Sequence, residues 1–193
     1  IQIIEKPEWV SWDDIKQCLV EAHSVNRAKG IIMSHYQWPA EKIKESLGNN
    51  GVVLVALDGN KLVGTAAISE KFGAQWYAKG RYAYMCFAGV NPEYSGKGIY
   101  SSLTEKREVI AREKGFKVFA LDTHEDNLKI QKIAIKNGYR YVRFLQAASK
   151  DHFSVVMVKW PDGSPYSKFY CWWKFQISRV KTLTKARLLP SAN

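Results

Sequence analysis

The segment Val90-Asn91-Pro92-Glu93-Tyr94-Ser95-Gly96-Lys97-Gly98-Ile99-Tyr100 constrains the fold more than any other stretch of this 193-residue chain. A β-rich run from Arg81 to Val90 ends there, two glycines turn the chain, and helical spacing begins at Ile99. The first turn of a helix carries unpaired N–H groups and the positive end of the dipole. A strand that enters a helix through a glycine turn therefore makes a cradle for phosphate. Gly96 and Gly98 allow positive φ and close approach of an anion, and Lys97 adds a charge. The spacing is neither G-x-G-x-x-G nor a Walker loop, and a plain turn whose glycines only relieve strain is the alternative.

The rest of the chain alternates short elements. Ile1 to Glu5 reads as an edge strand, and Ser11-Trp12-Asp13-Asp14 as a capping box opening a helix to about Asn26. Pro39 starts a short helix that ends near Gly48 or Gly51. Val52–Leu57 and Leu62–Ile68 flank Asp58-Gly59, a hairpin signal. After the Ile99–Lys114 helix come a buried strand from Phe116 to Thr123, a helix from Asn127 to Lys136 with Asp126 as its cap, and strands at Tyr139–Leu145 and Phe153–Trp160. Hairpins first and strand–helix–strand units later favour an α+β sheet.

The three cysteines, Cys18, Cys86 and Cys171, have neither disulfide nor metal-ligand spacing, so reduced thiols and no metal are expected. No apolar run approaches the roughly 18 residues of a membrane span, and Ile1–Ile4 reads as strand and not as a signal peptide. A cytoplasmic location, with peripheral attachment to the inner membrane face, is the expectation. The net charge of +11 favours anionic partners. No nucleic-acid reading motif accompanies it, so nucleic acid is not expected.

Val-x-Pro-Glu-Tyr followed by Gly-x-Gly-Ile resembles the coenzyme-A-binding segment of the GNAT superfamily of N-acetyltransferases. Asn127, with Lys136-Asn137-Gly138-Tyr139 closing its helix, resembles that superfamily's second motif. The resemblance runs from Ile1 to about Trp160. It implies a central mixed, mostly antiparallel splayed sheet flanked by helices, with acetyl-CoA wedged between the Val90 strand and the Phe116–Thr123 strand. The backbone of Phe87, Ala88, Gly89 and Val90 would pair with the pantetheine, as a peptide adds to a sheet edge. The amides of Ser95, Gly96, Lys97, Gly98, Ile99 and Tyr100 would hold the pyrophosphate, and Asn127 would lie near the thioester.

Three positions depart from the family pattern. Glu93 stands where Arg or Gln is usual, Ala134 where many members have a Tyr acid, and Tyr84 where histone-modifying members have a Glu base. Substitutes are His124, a base with an ordinary pKa near roughly 6.5, and Tyr84 and Cys86, which share one strand face with Tyr82 and Ala88. Each has a structural alternative: a turn residue, a packed Tyr or a buried thiol. In this superfamily the region between the first two helices helps form the acceptor pocket. Here it holds Met33, His35, Tyr36 and Trp38, with Phe72, Trp76 and Tyr77 as a second wall; such aromatics also fill cores.

Beyond the transferase domain, 1–160, the tail 161–193 has no acidic residue past Asp162 and six basic ones: Lys168, Lys174, Arg179, Lys181, Lys185 and Arg187. Ser164-Pro165 opens a helix that Pro190 stops, with Tyr166, Phe169, Tyr170, Trp173, Ile177, Val180 and Thr184 on one stripe that Trp172 and Phe175 broaden. That pattern suits an anionic membrane surface; packing on its own domain or in a homodimer is the alternative. The expected activity is transfer of an acetyl group from acetyl-CoA to a small-molecule amine, such as an amino sugar or envelope-glycan precursor. A catalytically degenerate coenzyme-binding sensor is the alternative.

Overall fold

A computed structural model describes residues 1–31, 38–70, 82–146 and 152–188, with side chains as far as 186. The chain divides into two compact units, Ile1–Phe119 and Ala120–Asn193.

In the first unit the elements are β1 (Gln2–Glu5), α1 (Trp12–Ala22), α2 (Ser24–Ala28), α3 (Ala40–Glu45), β2 (Val52–Asp58), β3 (Lys61–Ser69), β4 (Tyr82–Val90) and α4 (Ile99–Glu113). The strand order is β1-β2-β3-β4, each neighbouring pair antiparallel. α1 starts at the expected capping box. Ser11 Oγ accepts the Asp14 N–H at 3.0 Å, and Asp14 Oδ2 accepts the Ser11 N–H at 2.8 Å. These bonds stabilise the carboxylate and pull the Asp14 pKa down.

β2 is buried at every residue except Asp58, so both of its faces are covered. Val53, Val55 and Leu57 join Ile15 and Leu19 of α1 and Ile43 of α3 in one core cluster. On α4, Ile99, Leu103, Arg107 and Ala111 recur every fourth residue and are all buried. Ile99 and Leu103 each contribute roughly 1.5–3 kcal/mol by leaving water. That burial fixes α4, and with it the turn that precedes it.

The second unit contains most of β5 (Val118–His124), then α5 (Leu128–Lys136), β6 (Arg140–Gln146), β7 (Phe153–Lys159) and α6 (Lys168–Leu188). Its strand order is β5-β7-β6, with β6 and β7 antiparallel. β6 is therefore an edge strand, and α6 closes that edge. Ser178 Oγ accepts the Phe144 N–H at 2.8 Å, and Thr182 Oγ1 donates to the Phe144 carbonyl at 3.1 Å. Together they satisfy backbone groups that an open edge would leave to water or another chain. Phe175 adds ring contacts with Tyr141 at 5.1 Å and Phe144 at 6.1 Å.

Two expectations need correction here. The face of α6 toward β6 is Cys171, Phe175, Ser178 and Thr182: of the expected aromatic surface Phe175 packs inward, while Phe169, Trp173 and Val180 of the stripe are exposed. The helix meets a strand edge, where hydroxyls are worth more than rings. Asp126 does not cap α5: its N–H donates to His124 Nδ1 at 3.0 Å, and its side chain stays exposed. The cap position is Asn127, whose side chain instead donates to Thr123 Oγ1 at 3.1 Å.

Candidate active site

The expected phosphate turn has the predicted form. Asn91 Oδ1 accepts the Glu93 N–H at 3.0 Å, a 3-10 turn covers Pro92–Tyr94, and α4 begins at Ile99. Gly96 and Gly98 have φ of 81° and 77°, left-handed values that disfavour side chains. A Cβ at either glycine would meet nothing within 4 Å. No side chain caps the first turn of α4, and that turn contains no acidic residue. Glu93, the acidic departure, pairs with Lys61 at 3.5 Å across an exposed surface. Lys97 sits 4.6 Å over the Tyr94 ring, and the Tyr94 hydroxyl donates to Asp58 Oδ2 at 2.9 Å.

β4 reaches this turn through a bulge. Ala67 pairs with Cys86 and Thr65 with Gly89, so Ala66 faces two β4 residues, Phe87 and Ala88. Phe87 has φ of 47°, a left-handed conformation costing of order 1 kcal/mol for a side chain of this kind. Two residues hold it in place. From α4, the fully buried Arg107 sends Nη1 to the carbonyls of Ala67 at 3.3 Å and Cys86 at 3.2 Å. From the end of α1, His23 Nε2 donates to the Ala88 carbonyl at 3.1 Å. Asn26 Nδ2 lies 3.4 Å from His23 Nδ1 and, donating there, leaves the proton on Nε2. Gly89 makes the contact possible, since a Cβ there would come within 2.7 Å of Ala22 Cβ.

Burial lowers the His23 pKa to about 4, the Ala88 contact opposing the shift and Arg27 adding to it. The folded value lies below the ordinary 6.5, so folding favours neutral His23. That stability is complete above about pH 6.5 and drains as the pH falls toward 4. It amounts to roughly 2–3 kcal/mol, allowing for the ring's partial exposure. Urea unfolding between pH 7 and pH 4.5 should show this loss, and His23→Gln, which cannot titrate, should flatten that part of the profile.

Trp38 is half-buried, with its ring 6.3 Å from Phe87 and Lys42 Nζ 4.6 Å above it. The expected acceptor-pocket aromatic thus stands beside the bulge. His35, Tyr36, Met33, Phe72, Trp76 and Tyr77 lie outside the described residues. Tyr84 and Cys86 are half-buried on β4, on the face opposite Ala83, Met85 and Phe87. Burial pushes the Cys18 thiol up to about 12 and raises Cys171 as well, which makes both poor nucleophiles.

Within the second unit, His124 ends β5, is buried, and stacks on His152 at 4.7 Å. Its Nδ1 accepts the Asp126 amide, so the neutral ring carries its proton on Nε2. In that tautomer it is a hydrogen-bond donor; acting as a base through Nε2 would require the Asp126 contact to break. Gln131 Nε2 stitches the same turn, donating to the carbonyls of His124 at 3.2 Å and Glu125 at 2.7 Å. Among the described residues no group of three or more His, Cys, Asp or Glu could hold a metal ion.

Sequence reasoning missed Arg107 and His23. Each had a signal: Arg107 interrupts the Ile99–Leu103–Ala111 stripe at four-residue spacing, and His23 extends Ile15–Leu19 in the same way. A charged or titratable residue on the apolar face of a helix is buried for a partner.

Residues 12–139 match the family model described as "Acetyltransferase (GNAT) family". The chain belongs to this family, whose members take an acetyl group from acetyl-CoA. No curated protein sequence matches it. Among solved structures it is similar to aminoglycoside 6'-acetyltransferase type Ii, at 19% identity and a TM-score of 0.61, over 83% of this chain and 97% of that one. It is similar also to the ribosomal-protein-alanine N-acetyltransferase of Brucella melitensis, at 18% identity and a TM-score of 0.64, over 83% and 99%. A GNAT family acetyltransferase of Elizabethkingia anophelis, solved with acetyl-CoA bound, matches at 14% identity and a TM-score of 0.59, over 82% and 97%. The chain is thus an α+β acetyltransferase with acetyl-CoA as its co-substrate.

Proposed function

We propose that this chain acetylates a primary amine of a small molecule, an amino sugar or an envelope-glycan precursor, by direct attack of the amine on acetyl-CoA in a ternary complex. The observation that carries the reading is the uncapped first turn of α4 behind Gly96 and Gly98, reached through the clamped bulge of β4. The amides from Ser95 to Tyr100 take the pyrophosphate, and the backbone from Phe87 to Val90 takes the pantetheine. Trp38, beside Phe87, offers the aromatic face that a sugar ring stacks on. A structural relative acts on an aminoglycoside, which is consistent with such an acceptor.

The transfer forms the amide nitrogen–carbon bond and breaks the carbon–sulfur bond; the amine proton leaves to solvent and the thiolate departs as coenzyme A. Polar N–H groups aimed at developing charge lower this barrier most. His124 holds its proton on Nε2 and is the donor we assign to that task, with Tyr84 and Cys86 as the other candidates and Asn127 as support near the thioester. Thiol release measured across amino sugars, aminoglycosides, simple amines and peptides with N-terminal alanine tests the acceptor class. Turnover of amino sugars is the expected outcome, and turnover of peptides alone would overturn it. His124→Ala should lower kcat about a hundredfold while acetyl-CoA affinity stays unchanged; an unaltered kcat removes His124 from the chemistry.

A further inference from the structure

α6 carries one face to β6 and a row of apolar side chains on the opposite side. Cys171, Phe175, Ser178 and Thr182 face β6, and the spacing places Phe169, Trp173 and Val180 directly opposite them. Those three are 70%, 45% and 64% exposed, and Trp172 beside them is 53% exposed. A monomer has no reason to leave such a row of rings in water unless something covers it. The rings touch one another: Phe169 lies 6.0 Å from Trp172, and Tyr170 lies 6.2 Å from Trp173.

The charges decide what the cover is. On the helix, Lys168 and Arg179 border the outward strip on one side, and Lys174, Lys181 and Lys185 border it on the other. Lys174 Nζ lies over the rings of Tyr170 at 5.5 Å and Trp173 at 5.6 Å, a cation held at the border of the aromatic strip. No acidic residue follows Asp162. Among the described residues no helix is long and apolar enough to cross a membrane. The geometry points to α6 lying in the plane of an anionic bilayer, with Phe169, Trp172, Trp173 and Val180 at the acyl boundary and the flanking cations among the headgroups. A second copy of the chain would bring these cationic borders together and repel. A nucleic acid would want cations throughout the middle of the contact, whereas the strip is apolar from Phe169 to Val180 and Arg187, near the end of the helix, is the cation that the spacing places on its line. This inference rests on α6 alone and stands whether or not the acetyl acceptor is an amino sugar.

The test uses the full chain, pelleted with vesicles of neutral phosphatidylcholine or of phosphatidylcholine containing phosphatidylglycerol. The inference predicts pelleting with the anionic vesicles only, weakening as salt is raised. Phe169→Ser with Trp173→Ser, and separately Lys174→Gln with Lys181→Gln and Lys185→Gln, should each lower vesicle affinity by at least about tenfold. Phe169, Trp173, Lys181 and Lys185 are exposed and Lys174 is half-buried, and an unchanged circular dichroism melt confirms that each variant folds. Equal pelleting of the variants and the unaltered chain overturns the inference. So does a dimer in sedimentation that Phe169→Ser with Trp173→Ser dissociates, or tighter binding to a DNA duplex than to the anionic vesicles.

Discussion

Gly98→Asp is expected to weaken acetyl-CoA binding about a hundredfold while leaving the fold nearly as stable. Two effects act together. The new carboxylate stands at the mouth of the first turn of α4, where nothing lies within 4 Å of the position of its Cβ. At about 6 Å from a phosphate, with an effective dielectric near 20, repulsion is about 3 kcal/mol, which corresponds to about two decades of affinity. The same carboxylate also lies beside the amides the pyrophosphate needs. Its attraction to the helix dipole, roughly 0.3–1 kcal/mol, offsets part of the roughly 1 kcal/mol strain of a side chain at positive φ. Gly98→Ala carries the strain without the charge and should cost less than about tenfold in affinity. Calorimetric titration of the two variants separates these contributions. If Gly98→Asp binds acetyl-CoA as the unaltered chain does, the pyrophosphate is not at this turn.

Arg107→Ala should destabilise the first unit by about 4 kcal/mol. Arg107 is 1% exposed and bonds two carbonyls, those of Ala67 and Cys86, on either side of the bulge. Its removal orphans both acceptors at roughly 1–3 kcal/mol each and leaves a cavity. For a chain of this length the melting midpoint should drop by about 10 °C. Arg107→Lys retains a cation but not the planar fork, so it should recover part of the loss. Thermal unfolding followed by circular dichroism reads the effect directly, and a change below about 1 kcal/mol would mean the bulge stands without its clamp.

Much of the architecture could be read before the structure because it rests on local chemistry. The Ser11–Asp14 box, the Asp58–Gly59 hairpin and the Gly96–Gly98 turn each declare themselves within a few residues. The bulge at Phe87 could not be read in this way. β4 keeps a perfect alternation of burial along its own sequence, and only its pairing with β3 shows the extra residue. Its clamps come from Arg107 and His23, residues distant in sequence. α6 misled for a different reason. A search for apolar periodicity selects the rings, but the helix meets a strand edge, where Ser178 and Thr182 serve the backbone of Phe144. His124 is a candidate from the sequence alone, but its tautomer depends on the Asp126 amide, which the sequence does not reveal.

The turn before α4, held against a bulged β4, is the site we assign to acetyl-CoA. Calorimetric titration of the unaltered chain with acetyl-CoA reads this binding without any substitution. Saturable binding of one acetyl-CoA per chain, in roughly the micromolar range and weakened by raised salt, is the expected result when a diphosphate meets a helix terminus. Absence of saturable binding, or binding that Gly98→Asp leaves untouched, would contradict it.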